Sequence, residues 1–193
     1  MVGQCVAGGL LLLLLWQRFP PSTGRAGAGG AAAARWAGGA AWGLFSLAAW
    51  CAHGAPQWKH WFYLTAIVGW FGPLIAAQWA VGGDRLAAAW RVRAVTVALA
   101  TAYLWIADRI AIGAGAWWIN PDRTLPLRPF GLPVEEALFF LVTNLLLVNG
   151  LVLALDDGMW TRAQRWARVP HPTSDRPPGR PGSWPPRSTA RSS

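Results

Sequence analysis

From Pro133 to Leu155 the chain is almost wholly apolar, and its two acids, Glu135 and Glu136, stand together at the start of the run. A segment of about 20 mostly apolar residues is long enough to cross a bilayer as a helix. A single strand-like segment cannot do this, because hydrocarbon offers no partner for backbone N–H and C=O groups. Glu135 and Glu136 are the only glutamates in the 193 residues. Acids at the mouth of a membrane helix are costly to place, so such groups usually have a task.

Four more apolar segments precede this one: Val2–Trp16, Trp36–Cys51, Trp61–Val81 and Ala94–Ala116. The last two are long enough to span. Trp36–Cys51 reaches that length by borrowing Ala31–Ala34, and Val2–Trp16 is short for a full span. The composition agrees with a membrane protein: 54% of residues are hydrophobic and 13% are charged, about half the usual charged share. Fifteen tryptophans against two tyrosines also suit bilayer interfaces, where the ring is buried and the indole N–H stays wet.

Positive charge gathers in alternate connections. Arg18, Arg25 and Arg35 fall in the first, Arg85, Arg91 and Arg93 in the third, and seven arginines lie beyond Gly158. The second connection has only Lys59, and the fourth has Arg123 and Arg128. Basic loops stay cytoplasmic. The expected fold is therefore an all-α, polytopic transmembrane helical bundle of about five spans, N-terminus out and C-terminus in, in the cell membrane. Val2–Trp16 lacks the positive n-region of a signal peptide.

The net charge of +9 is explained by a basic tail beside anionic lipid. No aromatic-plus-basic module supports binding to nucleic acid. Cys5 and Cys51 sit in apolar segments, and His53, His60 and His171 have no ligand-like spacing, so neither a disulfide framework nor a metal site is expected. His53 and His60 flank a short turn and read as interfacial side chains. Arg18–Gly30 reads as a flexible linker, and Pro170–Ser193 as a disordered tail without the aliphatic surface to fold.

Pro133 suits the first turn of a helix, which puts Glu135 and Glu136 near the positive end of its dipole. Acids at helix starts are common, so that placement alone does not imply chemistry. Helical steps of three, four and seven residues lead from Glu136 to Phe139, Phe140 and Thr143, with Asn144 beside it. Thr143 and Asn144 also suit bonding to a neighbouring helix. On the preceding segment Asp108 and Arg109 lie about two turns from the end nearest the glutamates, and Trp105 shares a face with Asp108. Asp108 can face the glutamates across a pocket or pair locally with Arg109. Trp117 and Trp118 can roof that pocket or belong to an interfacial belt.

Neutral carboxylic acids, aromatic walls and excluded water suit the protonation of a carbon–carbon double bond. Desolvation and a second carboxylate favour the protonated acid, and a close pair titrates as a coupled unit. Aromatic faces and the remaining carboxylate stabilise the cation, and excluding water prevents its capture as an alcohol. The helix dipole opposes this by favouring the ionised form.

The string Pro133-Val-Glu-Glu-Ala-Leu-Phe-Phe-Leu-Val-Thr-Asn144, with Asp108 and Gly115-Ala-Trp-Trp118, resembles the signature of the lycopene cyclase domain family. This is the small integral-membrane cyclase type, found as two-subunit bacterial enzymes and as fused archaeal and fungal ones. The likeness covers about Lys59–Asp157, a three-helix unit. It implies closure of an end ring on lycopene or a related carotenoid by protonation, attack of a neighbouring double bond and proton loss. That is a non-redox isomerisation of the intramolecular lyase type. Glu135 and Glu136 are the implied acid/base pair, with Asp108 as third carboxyl. Trp105, Trp117, Trp118, Phe139, Phe140, Thr143 and Asn144 are the implied substrate-binding set. No Gly-x-Gly-x-x-Gly fingerprint suggests flavin or NAD, and no cofactor is expected.

Family members carry two such units, in sequence or on two subunits. Gln4 before an aliphatic run resembles Asn144 before its own, so residues 1–17 are expected as part of a first unit. Residues 18–57 then form a linker with one helix, 58–157 the complete second unit and 158–193 the tail. Either the true start lies upstream or a second cyclase subunit or homo-oligomer completes the enzyme. Cyclisation of a C50 carotenoid or to an epsilon-type ring, and a non-catalytic carotenoid-binding subunit, are the alternatives. A small transporter fits poorly, since the first three segments are polar in little beyond Gln4, Ser46, Thr65 and Gln78.

Overall fold

The computed structural model describes residues 28–156, together with Leu11, Leu14, Leu15 and Gln17. All regular structure among the described residues is helical: α1 (Ala28–Ala52), α2 (Phe62–Ala88), α3 (Trp90–Gly113) and α4 (Val134–Ala154). Short 3-10 turns at Pro56–Trp61, Pro121–Arg123 and Pro129–Gly131 join them. Three helical stretches, Pro56–Ala88, Trp90–Gly113 and Val134–Ala154, are long and apolar enough to cross a membrane.

α1 is not among those three, although it is 25 residues long. Arg35, five glycines and three tryptophans lower its mean hydropathy. The expectation of five spans thus reduces, among the described residues, to three apolar helices of membrane length and a fourth helix of small residues. Of Val2–Trp16 only Leu11, Leu14 and Leu15 are described, and residues 18–27 and 157–193 lie outside the described residues.

Two boundaries depart from the sequence reading. The expected linker Arg18–Gly30 overlaps α1, which already begins at Ala28. The expected third connection is mostly helix, with Arg85 in the last turn of α2 and Arg91 and Arg93 in the first turn of α3. The chain turns by a bend at Gly82 (φ −147°, ψ 30°) and at Ala89 (φ −91°, ψ 17°). Between the two helices stands Ala89 alone, so the turn itself carries neither glycine nor proline, and only the bend within α2 falls on a glycine.

The helices lie in the spatial order α1, α2, α4, α3, with α4 packed against both α2 and α3 and little contact between those two. The α1–α2 seam is closed by small residues, as membrane helices require for close approach. A Cβ on Gly72 would lie 2.6 Å from the Ser46 Cβ. Ser46 Oγ and Trp50 Nε1 both donate to the Gly69 carbonyl, at 3.0 and 2.9 Å. His53 is packed, not loose at an interface: its Nδ1 is 3.0 Å from Thr65 Oγ1, and its ring lies on Phe62.

The apolar core sits at the turn between α2 and α3, where Leu86, Ala89, Val92 and Val97 meet Val148 and Val152 of α4. Beside it lies an ionic cluster of Arg35, Asp84, Arg85 and Asp156, with N–O distances of 3.5 to 3.9 Å. Arg93 adds a donation from Nε to Asn149 Oδ1 at 2.9 Å and one from Nη1 to the Leu86 carbonyl at 2.6 Å. The opposite end holds the start of α4, the end of α3 and the connection between them.

Candidate active site

α3 stops at a glycine. Gly115 has φ +73°, and Gly115 and Ala116 donate to the Ile112 and Ala111 carbonyls at 3.0 Å each. This is the paired closure that a left-handed residue allows beyond a helix end. The chain then folds back over the end of the bundle. Asn120 Oδ1 accepts from Asp122 N at 2.9 Å, and Thr124 Oγ1 donates to the Asn120 carbonyl at 3.1 Å. The Arg123 guanidinium lies over the Phe62 ring, 4.8 Å from its centroid.

Pro133 is the N-cap residue, not the first helical one. Its backbone is extended (φ −57°, ψ 138°), and its carbonyl takes the first helical bond from Ala137 N at 3.1 Å. Glu135 and Glu136 therefore fall in the first turn of α4. Glu135 is 2% exposed. Its Oε1 accepts the Leu125 N–H at 2.7 Å, while Oε2 has no hydrogen-bond partner. Asp108 is 3% exposed, and neither of its oxygens has a partner in hydrogen-bond geometry, although the Trp117 side chain approaches it. Glu136 is half-buried and lies within electrostatic reach of both Asp108 and Glu135. The structure thus brings the three carboxyls together at one end of the bundle.

Asp108 and Arg109 do not pair. Arg109 Nε donates instead to the Phe130 carbonyl at 2.7 Å. That bond needs the backbone at Phe130 and Gly131 in the left-handed region, with φ of +53° and +80°. A Cβ on Gly131 would stand 2.6 Å from Arg109 Nε, so a glycine is required there. Arg109 thereby ties the connection to α3, close to the glutamates.

Trp105 joins the two helices, its Nε1 donating to the Ala137 carbonyl at 2.9 Å. Phe139 packs edge-on against Phe140 and Phe71, with ring centroids 5.5 and 5.9 Å apart. Trp118 is 78% exposed, so in this conformation it covers little of the acid cluster. Thr143 turns its hydroxyl to its own helix, donating to the Phe139 and Phe140 carbonyls at 2.8 and 3.2 Å. Asn144 is buried against α3, its Nδ2 donating to Thr101 Oγ1 at 3.1 Å. Trp105, Trp117 and Phe139 thus stand near the acids, and Asn144 serves the α3–α4 seam.

Residues 59–154 match the family model described as lycopene cyclase. This part of the chain belongs to the lycopene cyclase family.

Its relatives include a lycopene beta-cyclase from Halobacterium salinarum, 44% identical over 92 residues, which are 48% of this chain and 39% of that protein. A bifunctional lycopene cyclase/phytoene synthase from Aspergillus niger is 41% identical over 91 residues, covering 47% of this chain and 16% of that one. One from Phaeosphaeria nodorum is 37% identical over 114 residues, covering 58% and 19%. The chain thus spans about two fifths or less of these relatives. No solved structure matches it significantly.

Two features of this segment escape a reading of residue types. The Leu125 N–H holds Glu135 through the backbone, which leaves no mark on residue type. Thr101 partners Asn144 from 43 residues away. Arg109 was visible as a charge, but its partner is a carbonyl. A cavity of about 510 Å³ is lined by His60, Trp61, Pro121, Thr124, Leu125, Pro126 and Arg128; none of the three acids lines it, and it meets them only through Leu125, which holds Glu135. Among the described residues no group of three or more His, Cys, Asp and Glu is arranged to hold a metal ion. Chemically, the cluster can give and take protons in surroundings poor in water.

Proposed function

We propose that this chain acts in carotenoid biosynthesis as a lycopene cyclase or as a subunit of one, closing an end ring on an acyclic carotenoid. The observation that carries the reading is the meeting of Glu135, Glu136 and Asp108, with buried carboxyl oxygens on Glu135 and Asp108 that lack partners. A buried carboxyl oxygen without a protein partner has hydrogen-bonding capacity left for a substrate or a moving proton.

In this reading one glutamate, as neutral acid, protonates a terminal double bond. A neighbouring double bond attacks the resulting cation, forming the ring carbon–carbon bond. A carboxylate then removes a ring proton. The proton gained equals the proton lost, so product and substrate are isomers, which makes the enzyme a non-redox intramolecular lyase. Glu135, fixed by Leu125, and Glu136 form the acid/base pair, and Asp108 accepts the proton or sets the charge state of the pair. Trp105, Trp117 and Phe139 supply apolar and aromatic wall, and Trp118, Phe140, Thr143 and Asn144 support it.

The protein is further proposed to be a multi-pass protein of the cell membrane with five spans, N-terminus out and C-terminus in. Residues 1–17 belong to a partial first unit in this reading, and a second cyclase subunit or another copy completes the enzyme. A second reading is a non-catalytic carotenoid-binding subunit.

Expression in a lycopene-accumulating bacterial host, alone and with candidate partner subunits, separates these readings. A red-to-orange shift with a cyclic product is expected, and chromatography identifies the ring isomer and chain length. Cyclisation that survives the combined Glu135→Gln and Glu136→Gln changes removes the acid/base assignment.

A further inference from the structure

Below the acids, the stripe of α4 headed by Glu136 continues through Phe139 and Thr143 to Leu147 and Gly150. The 14 steps from Glu136 to Gly150 cover about 21 Å of helix axis. Along its lower half this stripe forms one wall of a groove of about 400 Å³ between α2 and α4, lined by Phe71, Thr143, Leu146, Leu147, Gly150 and Leu151.

The groove is apolar for specific reasons. Thr143 spends its hydroxyl on the Phe139 and Phe140 carbonyls, so its methyl is left for the lining. Gln78, which crosses from α2, is held by donation to the Leu146 carbonyl at 2.9 Å. Gly150 leaves space where any other residue would project. A Cβ there would touch only Gln78 Nε2, at 3.5 Å, an ordinary contact. Phe71 lines the groove and also packs on Phe139, so groove and acid end share a continuous wall.

We propose that this groove is a binding subsite for the linear polyene chain of a hydrocarbon whose terminal group reaches the carboxyls. The inference rests on the function proposed above and adds where the unreacted part of the substrate lies. Continuity with the acid end selects this occupant. Phe71 lines the groove and packs on Phe139 one turn below Glu136, so a chain whose end meets the carboxyls runs on into the groove. Arg85 and Arg93 lie towards the groove's other end, so a phospholipid is the competing occupant that the labelling below distinguishes. An extended chain also suits a narrow apolar trough along a helix axis better than a side chain of a partner helix, which enters crosswise.

The test uses the full chain in lipid nanodiscs and lycopene as the probe. Binding is read from the induced visible circular dichroism of the polyene, and conversion is read by chromatography. Gly150→Phe fills the trough and is expected to weaken binding about ten-fold, which is about 1.4 kcal/mol. Gly150→Ala, whose Cβ fits, is expected to bind like the parent chain. Glu136→Gln is expected to bind normally and convert nothing. Parent-like lycopene binding by Gly150→Phe overturns the groove assignment. A parent chain that binds lycopene, loses binding in Gly150→Phe and yet makes no ring either alone or with a partner cyclase subunit overturns the cyclase reading and keeps the groove. Photolabelling of the unmutated chain with a polyene carrying a mid-chain diazirine needs no variant to fold. Labels within residues 143–151 support the proposal, and labels confined to the outer face of α3, or to lipid, overturn it.

Discussion

Glu135 accepts a backbone N–H with one oxygen and leaves the other free. A glutamine keeps the acceptor and removes the ionisable proton. Glu135→Gln is therefore expected to fold normally, with an unchanged melting temperature in detergent, and to lose about 10²–10⁴-fold in turnover of lycopene. Loss of fold instead would assign the acid to structure. Gly131→Ala is a different kind of change. It places a Cβ against Arg109 at a φ of +80°, so the connection must release Arg109 or leave the left-handed region, at about 1 kcal/mol or more. Expected is faster proteolysis between α3 and α4. At this scale the acids were legible because two glutamates in an apolar chain cannot be accidental solvent contacts. The ties that hold them were not, because a Leu125 amide and a Phe130 carbonyl are present at every position of any sequence.

Helix α1 depends on its seam with α2. Gly72→Val would drive a branched side chain into Ser46, whose Cβ already lies 2.6 Å from a Cβ at this site. A loss of about 1–3 kcal/mol is expected, seen as a lower unfolding midpoint in detergent, while Gly43→Ala, with open space around its Cβ, should leave it unchanged. α4 was legible to one residue and α3 to four, since bilayer length is written in hydropathy, whereas α2 runs seven residues past the expected Val81. The α2–α3 connection was misread because charge was taken as a loop signal. Arg85, Arg91 and Arg93 instead stay helical, where Asp84, Asp156, Asn149 and the Leu86 carbonyl receive two of them. α1 was hard to bound because Ala and Gly fit helix, linker and membrane alike.

The whole molecule has two unlike ends. One carries the carboxyls, and the other carries the ionic cluster and Arg93. Arg93→Met removes a charged donor from Asn149 and from the Leu86 carbonyl, and a loss of about 1.5–3 kcal/mol is expected from bonds of that type. Turnover per folded molecule should stay unchanged, because the acids lie at the far end. If the proposed orientation holds, and with Cys5 and Cys51 first replaced by serine because Cys51 is exposed, a cysteine placed at Phe130, which is 99% exposed, reacts with an impermeant maleimide added outside intact cells, and one placed at Trp90 does not. The overall helical class was legible from composition, but the order α1, α2, α4, α3 was not, because no residue type records which neighbour a helix will choose. That order has a consequence in time. α1 and α2 can pair as soon as both have left the ribosome, whereas α3 meets little of α2 and must wait for α4. During synthesis α3 is then an orphan in the membrane. A chain arrested before Val134 should expose α3 to quality-control proteases, and release of α4 should end that exposure.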